Sequence, residues 1–509
     1  MNNKIIGWLI AFICSLLLVF IGGIVALIAS PGTEILGIRY IASGLSSCNY
    51  KDSIPSFSGD IYIDTYGVPI TINFTNYYNY NLEFSQDYVG LTKSKHDKAE
   101  VNVDVDEKGD LHIKTKEIVK WLFSNANDTT YKFVLSMPST SVSGKSIYIN
   151  SNKSNVSVYG SSSLKNFHIV TSESLKLANA ISVDEFKYHT SKMITVGDKI
   201  QAKSADLKST GSSISVQNAL SGDLKVQTKS GDISFVSCKN LTVKSGSGSV
   251  KKYGTGLNSV YENVKIETRG GDVSLGAIGT ASLDSFCEIK TVSGNININS
   301  MVDGTITTER GKVNIETARS LVVNDNIGDV TIKNITNNLT ISGRNGDVLL
   351  GVGGVINSPT VQTTTGKINV SNTKGNVSLV SSNGKIIFNN GDSENIKLKA
   401  GKGLTGKNLK GEVEAYSNRN MSLTFKEITG NVNITAGSKC DVVEVDATCK
   451  LHSNVDYYLK STKGKKVKVY AGDVLIAEDT EVDSKIHAGN KLITITTSYA
   501  QIVLKLGLL

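Results

Sequence analysis

The sequence predicts an all-β chain: an elongated parallel β-solenoid (β-helix) of short Gly-Asp-turn strands, with an N-terminal transmembrane helix and an antiparallel β cap. Three observations carry this expectation. A glycine–polar–aliphatic phrase recurs along most of the chain, the segments around it alternate apolar and polar residues, and 47 glycines stand against 5 prolines in 509 residues. Such a composition suits many short strands joined by tight turns.

The phrase is plainest in residues 221–237, SGDLKVQTKSGDISFVS, where Ser-Gly-Asp-aliphatic occurs twice, nine residues apart. Gly222 and Gly231 tolerate positive φ, Asp223 and Asp232 can accept hydrogen bonds from turn amides, and Leu224 and Ile233 begin extended segments. One phrase therefore reads as a turn followed by a strand. It returns at Gly271-Asp272-Val273, Gly294-Asn295-Ile296, Gly311-Lys312-Val313, Gly328-Asp329-Val330 and onward to Gly430-Asn431-Val432, often at spacings of 17 to 20 residues. A fixed period of this kind marks a stacked repeat. Ile296-Asn297-Ile298-Asn299 places two aliphatic side chains on one face, and stacking such units buries rows that no single coil could bury alone.

Taken in order, residues 1–30 read as a signal anchor. Residues 5–29 hold no charged side chain, and those 25 residues can cross a hydrocarbon core of about 30 Å. The run is longer than the h-region of a cleaved signal, and Lys4 on its short side predicts that the bulk of the chain lies outside the membrane. Residues 31–55 read as a juxtamembrane linker. Residues 56–138 show longer alternating strands, such as Ile61-Tyr62-Ile63 and Leu111-His112-Ile113, expected to form an antiparallel N-terminal cap. Residues 139–450 hold the solenoid repeats, and residues 451–509 a C-terminal β cap over an otherwise open strand edge.

A formal charge of +8 is spread along the chain rather than blocked, so no nucleic-acid partner is expected. Six cysteines, one of them Cys14 within the apolar run, argue against a dense disulfide framework; Cys440 and Cys449, nine residues apart, are the candidate bridge.

The run from Ile61-Tyr62-Ile63 into Val68-Pro69-Ile70-Thr71-Ile72, then Gly109-Asp110-Leu111-His112-Ile113, Phe133-Val134-Leu135-Ser136-Met137-Pro138 and the serial Ser-Gly-Asp-Ile phrases resembles the bacterial adhesin family built on DUF4097-type β-strand repeats. The resemblance spans most of residues 56–450. It implies a toast-rack-like β-solenoid outside the cytoplasmic membrane and supplies no catalytic residues.

Motifs that carry chemistry are scarce. Gly401-Lys402-Gly403-Leu404-Thr405-Gly406 has the spacing of a dinucleotide fingerprint, but a further turn and strand follow it where a helix is required. His96, His112, His168, His189, His452 and His487 are scattered along the chain without metal spacing. Asp223, Asp232, Asp272, Asp329 and Asp347 could align as a carboxylate ladder for Ca²⁺ or as an acid pair, although Asn295, Lys312, Lys367, Asn376 and Lys385 interrupt the series and turn capping explains it. In Asn76-Tyr77-Tyr78-Asn79-Tyr80-Asn81, the residues Tyr77, Tyr78 and Tyr80 are candidate ligand contacts that also suit a packed hairpin. Lys463, Lys465, Lys466 and Lys468 form a basic edge, read as protection against edge pairing.

The expected protein is a single-pass, outward-facing envelope protein without enzymatic activity or cofactor. It would act as an adhesin-like binding or structural protein toward wall polymers, surface glycans or another envelope protein. An envelope-stress sensor or scaffold is the second reading, and a polysaccharide-acting β-helix enzyme the third.

Overall fold

The computed structural model describes residues 11–19, 34–35, 38–39, 45–89, 101–115, 130–253, 259–260, 262–279, 285–448, 455–463, 465–484 and 491–506. Apart from the helix at residues 11–19 its regular elements are nearly all strands, and the fold is an all-β parallel β-solenoid. Its contacts divide the chain into two units, residues 1–210 and 211–509.

In the first unit the chain passes through β1 (Leu45–Ser53), β2 (Ile61–Tyr66), β3 (Ile70–Thr75), β4 (Asn81–Val89), β5 (Val101–Val105), β6 (Leu111–Thr115), β7 (Thr130–Pro138), β8 (Ile147–Asn152), β9 (Val156–Tyr159), β10 (Ser163–Thr171), β11 (Leu175–Leu177), β12 (Ile181–Thr190), β13 (Ile194–Val196) and β14 (Ile200–Ser209). Strands β6, β2, β8, β10, β12 and β14 pair in parallel in that order. A second sheet runs β7–β3–β9–β11, also parallel. Each coil gives one strand to each sheet, and Ile61, Ile63, Ile70, Ile72, Ile147, Ile149, Phe167 and Ile169 are buried. The alternation that marked the strands therefore sorts aliphatic residues inward and leaves the intervening positions on the surface.

Two expectations for this part change. Residues 56–138 are not an antiparallel cap throughout: antiparallel pairing is confined to β1–β4, β4–β7 and the β5–β6 hairpin, while β2 and β3 already pair as coils. Alternating sequence reports one buried face and is silent on strand direction. Within the expected linker, Leu45–Ser53 is a nine-residue strand along β4. It lacks an alternating pattern, and main-chain pairing at a sheet edge needs none.

Residues 11–19 are helical, with Phe12, Ile13, Leu16, Leu17, Leu18 and Val19 exposed. The rest of the apolar run 5–29 lies outside the described residues, among which no helix is long and apolar enough to cross a membrane.

In the second unit the meaning of the repeated phrase becomes clear. Leu224 pairs with Leu241, which pairs with Val264, so successive coils take 17 and 23 residues. Ile233 pairs with Val250 and Val250 with Val273. The nine-residue offset between the two phrases is thus the step from one face of a coil to the next.

Most of these glycines are not there for positive φ, which neither Gly222 nor Gly231 has, although Gly375 and Gly411 have it at +71° and +136°. They are there because coils touch: a Cβ built on Gly311 would lie 1.9 Å from the carbonyl oxygen of Gly294 in the preceding coil. Three residues ahead of several of these glycines a buried hydroxyl accepts the glycine N–H, as in Thr291 to Gly294, Thr308 to Gly311 and Thr363 to Gly366, at 3.0 to 3.1 Å, while Asp325 does so for Gly328 at 2.8 Å. The following Asp or Asn works between coils rather than within its own turn. Asp232 accepts the Ser249 N–H at 2.9 Å, Asp272 that of Asn295 at 2.7 Å and Asp347 that of Lys367 at 2.7 Å. A corner that does need the left-handed region is lined by Asn372, Asn390 and Asn408, each with φ near 55°, whose side-chain amides bond to one another at 3.0 Å.

At the carboxyl-terminal end the strand order leaves sequence order. Lys491–Thr497 lies between Met421–Ala436 and Val455–Ser461, and Gln501–Leu506 lies between Val442–Ala447 and Val467–Ala471. Antiparallel strands Val474–Asp479 and Glu481–Ser484 flank the outermost coil.

Candidate binding groove

The solvent face of the β6–β2–β8–β10–β12 sheet carries a row of rings. His112, Tyr62, Tyr148 and His168 occupy one register position on consecutive strands, followed by Lys187 and Asp206. Each is the outward residue between two inward ones, in Leu111-His112-Ile113, Ile61-Tyr62-Ile63, Ile147-Tyr148-Ile149 and Phe167-His168-Ile169. Parallel pairing then brings equivalent side chains together at a strand spacing of about 4.8 Å.

The rings use that spacing. His112 stacks on Tyr62 at 4.8 Å and 11°, Tyr62 stacks on Tyr148 at 4.7 Å and 8°, and Tyr148 meets His168 edge to face at 5.0 Å. Because the faces of Tyr62 are covered by its neighbours, the row offers ligand-sized molecules its edges and hydroxyls. Beside it runs a second outward row, Lys114, Asp64, Asn150, Val170 and His189, in which the Asn150 amide donates to Asp64 at 3.2 Å. Two adjoining hollows of about 380 and 530 Å³ follow these rows and share Asp64, Asn150 and Val170; the larger extends to Tyr66, Thr115, Asn152 and Ser172.

Charges around the rows are paired. His112 lies 3.2 Å from Asp106, His168 3.7 Å from Glu185, His189 3.6 Å from Asp206, and Lys187 4.0 Å from Asp206. The Asp106 carboxyl is held below its usual range, chiefly by the Asp110 N–H and further by His112. Burial pushes the Tyr62 hydroxyl up, and the negative field of Asp110 adds to this. Burial pulls His168 down, and Glu185 only partly opposes it, which keeps the imidazole neutral near pH 7. The His168 Nε2 and Thr115 Oγ1 atoms are buried at the groove without a hydrogen-bond partner.

Sequence reasoning missed this row, because histidines and tyrosines that are 20 to 86 residues apart in the chain look scattered until coils are stacked. The signal that would have found it is the shared tripeptide, one aromatic or imidazole ring flanked by core residues in four strands. His96, His452 and His487 lie outside the described residues.

The residues singled out from sequence are placed elsewhere. Tyr77 and Tyr78 sit in the β3–β4 loop, 79% and 91% exposed, while Tyr80 packs edge-on against Phe57 at 4.7 Å, with the Lys145 ammonium 4.4 Å from that ring. Cys440 is buried and its thiol donates to the Val442 carbonyl at 3.4 Å; Cys449 lies outside the described residues. Residues 404–417 of the glycine fingerprint region are one long strand, where a dinucleotide site needs a helix. The repeated aspartates bond neighbouring coils, and among the described residues no three His, Cys, Asp or Glu side chains converge as a metal set. Lys466 pairs with Glu478 of the adjacent antiparallel strand at 2.7 Å, and Lys463 lies over the Tyr499 ring at 4.3 Å.

Comparison with known proteins adds a family. No curated protein matches the chain. The solved structure of a candidate cell adhesion protein from Clostridium sporogenes aligns with 92% of this chain and 100% of its own at 8% identity, with a TM-score of 0.16, and nothing here rests on it. A family model described as Toastrack DUF4097 matches residues 59–237, a shorter span than the sequence resemblance suggested. Those residues, which are similar to the Toastrack DUF4097 family, include the whole ring row and the strands that build it.

Proposed function

We propose that this chain is a surface-displayed binding protein, adhesin-like in role and binding rather than catalytic. In this reading residues 5–29 hold it in the cytoplasmic membrane as a single span and the β-solenoid stands outside. The observation that carries the reading is the groove over Tyr62, Tyr148, Asp64 and Asn150, an open surface with organised polar groups and paired charges. Sites of this kind fix a ligand through a few convergent polar groups on a rigid scaffold. The uncharged run 5–29 and the exposed apolar side chains of helix 11–19 support the anchor. Wall polymers, surface glycans or another envelope protein are the expected partners.

The test displays the full chain on cells that otherwise do not attach. Protease added to intact cells should remove the β region, and attachment should be lost when residues 139–450 are deleted while membrane insertion is kept. Protection of the β region in intact cells, or attachment unchanged by the deletion, would overturn the reading.

A further inference from the structure

The groove has a chemical character that narrows its ligand. Its walls present a carboxylate, carboxamides, phenols and an aliphatic hydroxyl, through Asp64, Asn150, Asn152, Tyr62, Tyr148 and Thr115. Of the two lysines lining the smaller hollow, Lys187 lies 4.0 Å from Asp206 and Lys114 is the register neighbour of Asp64, and burial favours the uncharged form of His168. No uncompensated field of one sign favours a phosphate polymer or a highly charged chain. Of the aliphatic residues around the hollows, Ile63 and Ile149 are buried in the core and Val170 faces solvent, so little apolar surface is open to an apolar peptide anchor.

Among the described residues two polar atoms lining the hollows make no hydrogen bond, Thr115 Oγ1 and His168 Nε2, the latter 3.7 Å from Glu185 Oε1 and beyond hydrogen-bond distance of it. Buried polar atoms are normally satisfied, and an unsatisfied pair lining one groove points to hydrogen bonding with something that enters it. A neutral imidazole can donate or accept, and so can a threonine hydroxyl. The partner that suits such groups is one whose own groups also do both. The ring row His112, Tyr62, Tyr148 and His168 repeats from strand to strand at about 4.8 Å, so a polymer laid across the strands meets a ring edge at each step.

We propose that this groove binds a linear, uncharged oligosaccharide lying across β2, β8 and β10, held by Asp64, Asn150 and the hydroxyl edges of Tyr62 and Tyr148. The assignment rests on the binding reading given above and names its ligand class. Because stacked neighbours cover the ring faces of Tyr62, the sugar is held by hydrogen bonds at ring edges rather than by stacking on that ring.

The full-length chain in nanodiscs is titrated calorimetrically with chitohexaose and with cellohexaose, alongside a heparin-derived hexasaccharide, and attachment of cells displaying the same variants is measured in parallel. Saturable binding of a neutral hexasaccharide is expected, weakened at least tenfold by Asp64→Asn and by Asn150→Ala with thermal unfolding unchanged, and unaffected by Tyr78→Ala. Cells that attach while neither neutral hexasaccharide binds would overturn the glycan assignment and leave the binding reading standing. So would preference for the heparin fragment, affinity indifferent to both groove variants, or loss through Tyr78→Ala. Cells that never attach, with a neutral hexasaccharide still bound in the groove, would overturn the adhesive role alone.

Discussion

Substituting Gly311 by alanine tests why the repeat keeps its glycine. The added Cβ would lie 1.9 Å from the Gly294 oxygen, a contact that has to open to at least 3.0 Å, so the two coils must part locally by about 1.1 Å (3.0 − 1.9). Two hydrogen bonds cross that seam, Ile296 N–H to Lys312 O at 2.8 Å and Lys312 N–H to Asn295 Oδ1 at 3.0 Å, and a third, Gly311 N–H to Thr308 Oγ1 at 3.0 Å, closes the turn whose hydroxyl the new Cβ would crowd at 3.0 Å. At about 1 kcal/mol net for each bond, with about 1–3 kcal/mol for overpacking, the steric cost is about 4–6 kcal/mol. Alanine returns about 0.4–1 kcal/mol through the unfolded chain, because Gly311 lacks positive φ. The expected net loss is about 3–5 kcal/mol. Gly353 is the control: its φ is +78° and a Cβ there meets nothing within 4 Å, so Gly353→Ala should cost only the backbone term of about 1–2 kcal/mol. Repeat proteins open locally, so the readout is native-state hydrogen exchange at 296–298 and 313–315 together with the denaturant midpoint. If Gly311→Ala is no worse than Gly353→Ala, steric stacking is not the reason for the glycine.

Asp325 occupies the place of the buried hydroxyls in other coils, with burial raising its pKa and its Oδ2 unpaired. A native pKa above the unfolded value gives stability that is full below about pH 3.9 and is lost as pH rises through the native pKa, so Asp325→Thr should stabilise by about 1–3 kcal/mol at pH 7 and by little near pH 3, read from denaturation at both pH values. Asn390→Ala breaks the left-handed Asn row and should cost about 2–3 kcal/mol, with Asn390→Gly milder because only the side-chain bonds go; equal losses in thermal melts would refute the torsional share. His168 should titrate below the ordinary histidine range by NMR, and Glu185→Gln should lower it further, since Glu185 is the group that raises it; an upward shift would refute the burial argument.

The coil was legible because its signal is local. Aliphatic alternation such as Ile296-Asn297-Ile298 needs only a two-residue period, and the glycine phrase marks each corner. What the phrase does was not legible: Gly311 and Asp272 look like turn residues until the neighbouring coil is beside them, because the atoms that explain them belong to residues 17 to 23 positions away. The groove was hidden for the same reason. Tyr62 and Tyr148 are 86 residues apart yet stack at 4.7 Å, a distance that depends on an excursion through β3 to β7 that no periodicity announces. Strand direction at 56–138 escaped because pairing partners, not side-chain alternation, decide it.

The interleaved strands at the carboxyl-terminal end have a consequence for how the molecule is made. Elsewhere in residues 211–447 each new turn can dock on one already synthesised, but Val455–Ser461 and Val467–Ala471 have no seat until Lys491–Thr497 and Gln501–Leu506 emerge and slide in beneath them. A ribosome-bound chain that ends before residue 491 therefore carries the earlier coils with Val455–Ser461 and Val467–Ala471 still unseated, and the strands of residues 455–506 close together. Pairing within this end is therefore set by strands that are made last in residues 455–506 and not by the order of synthesis.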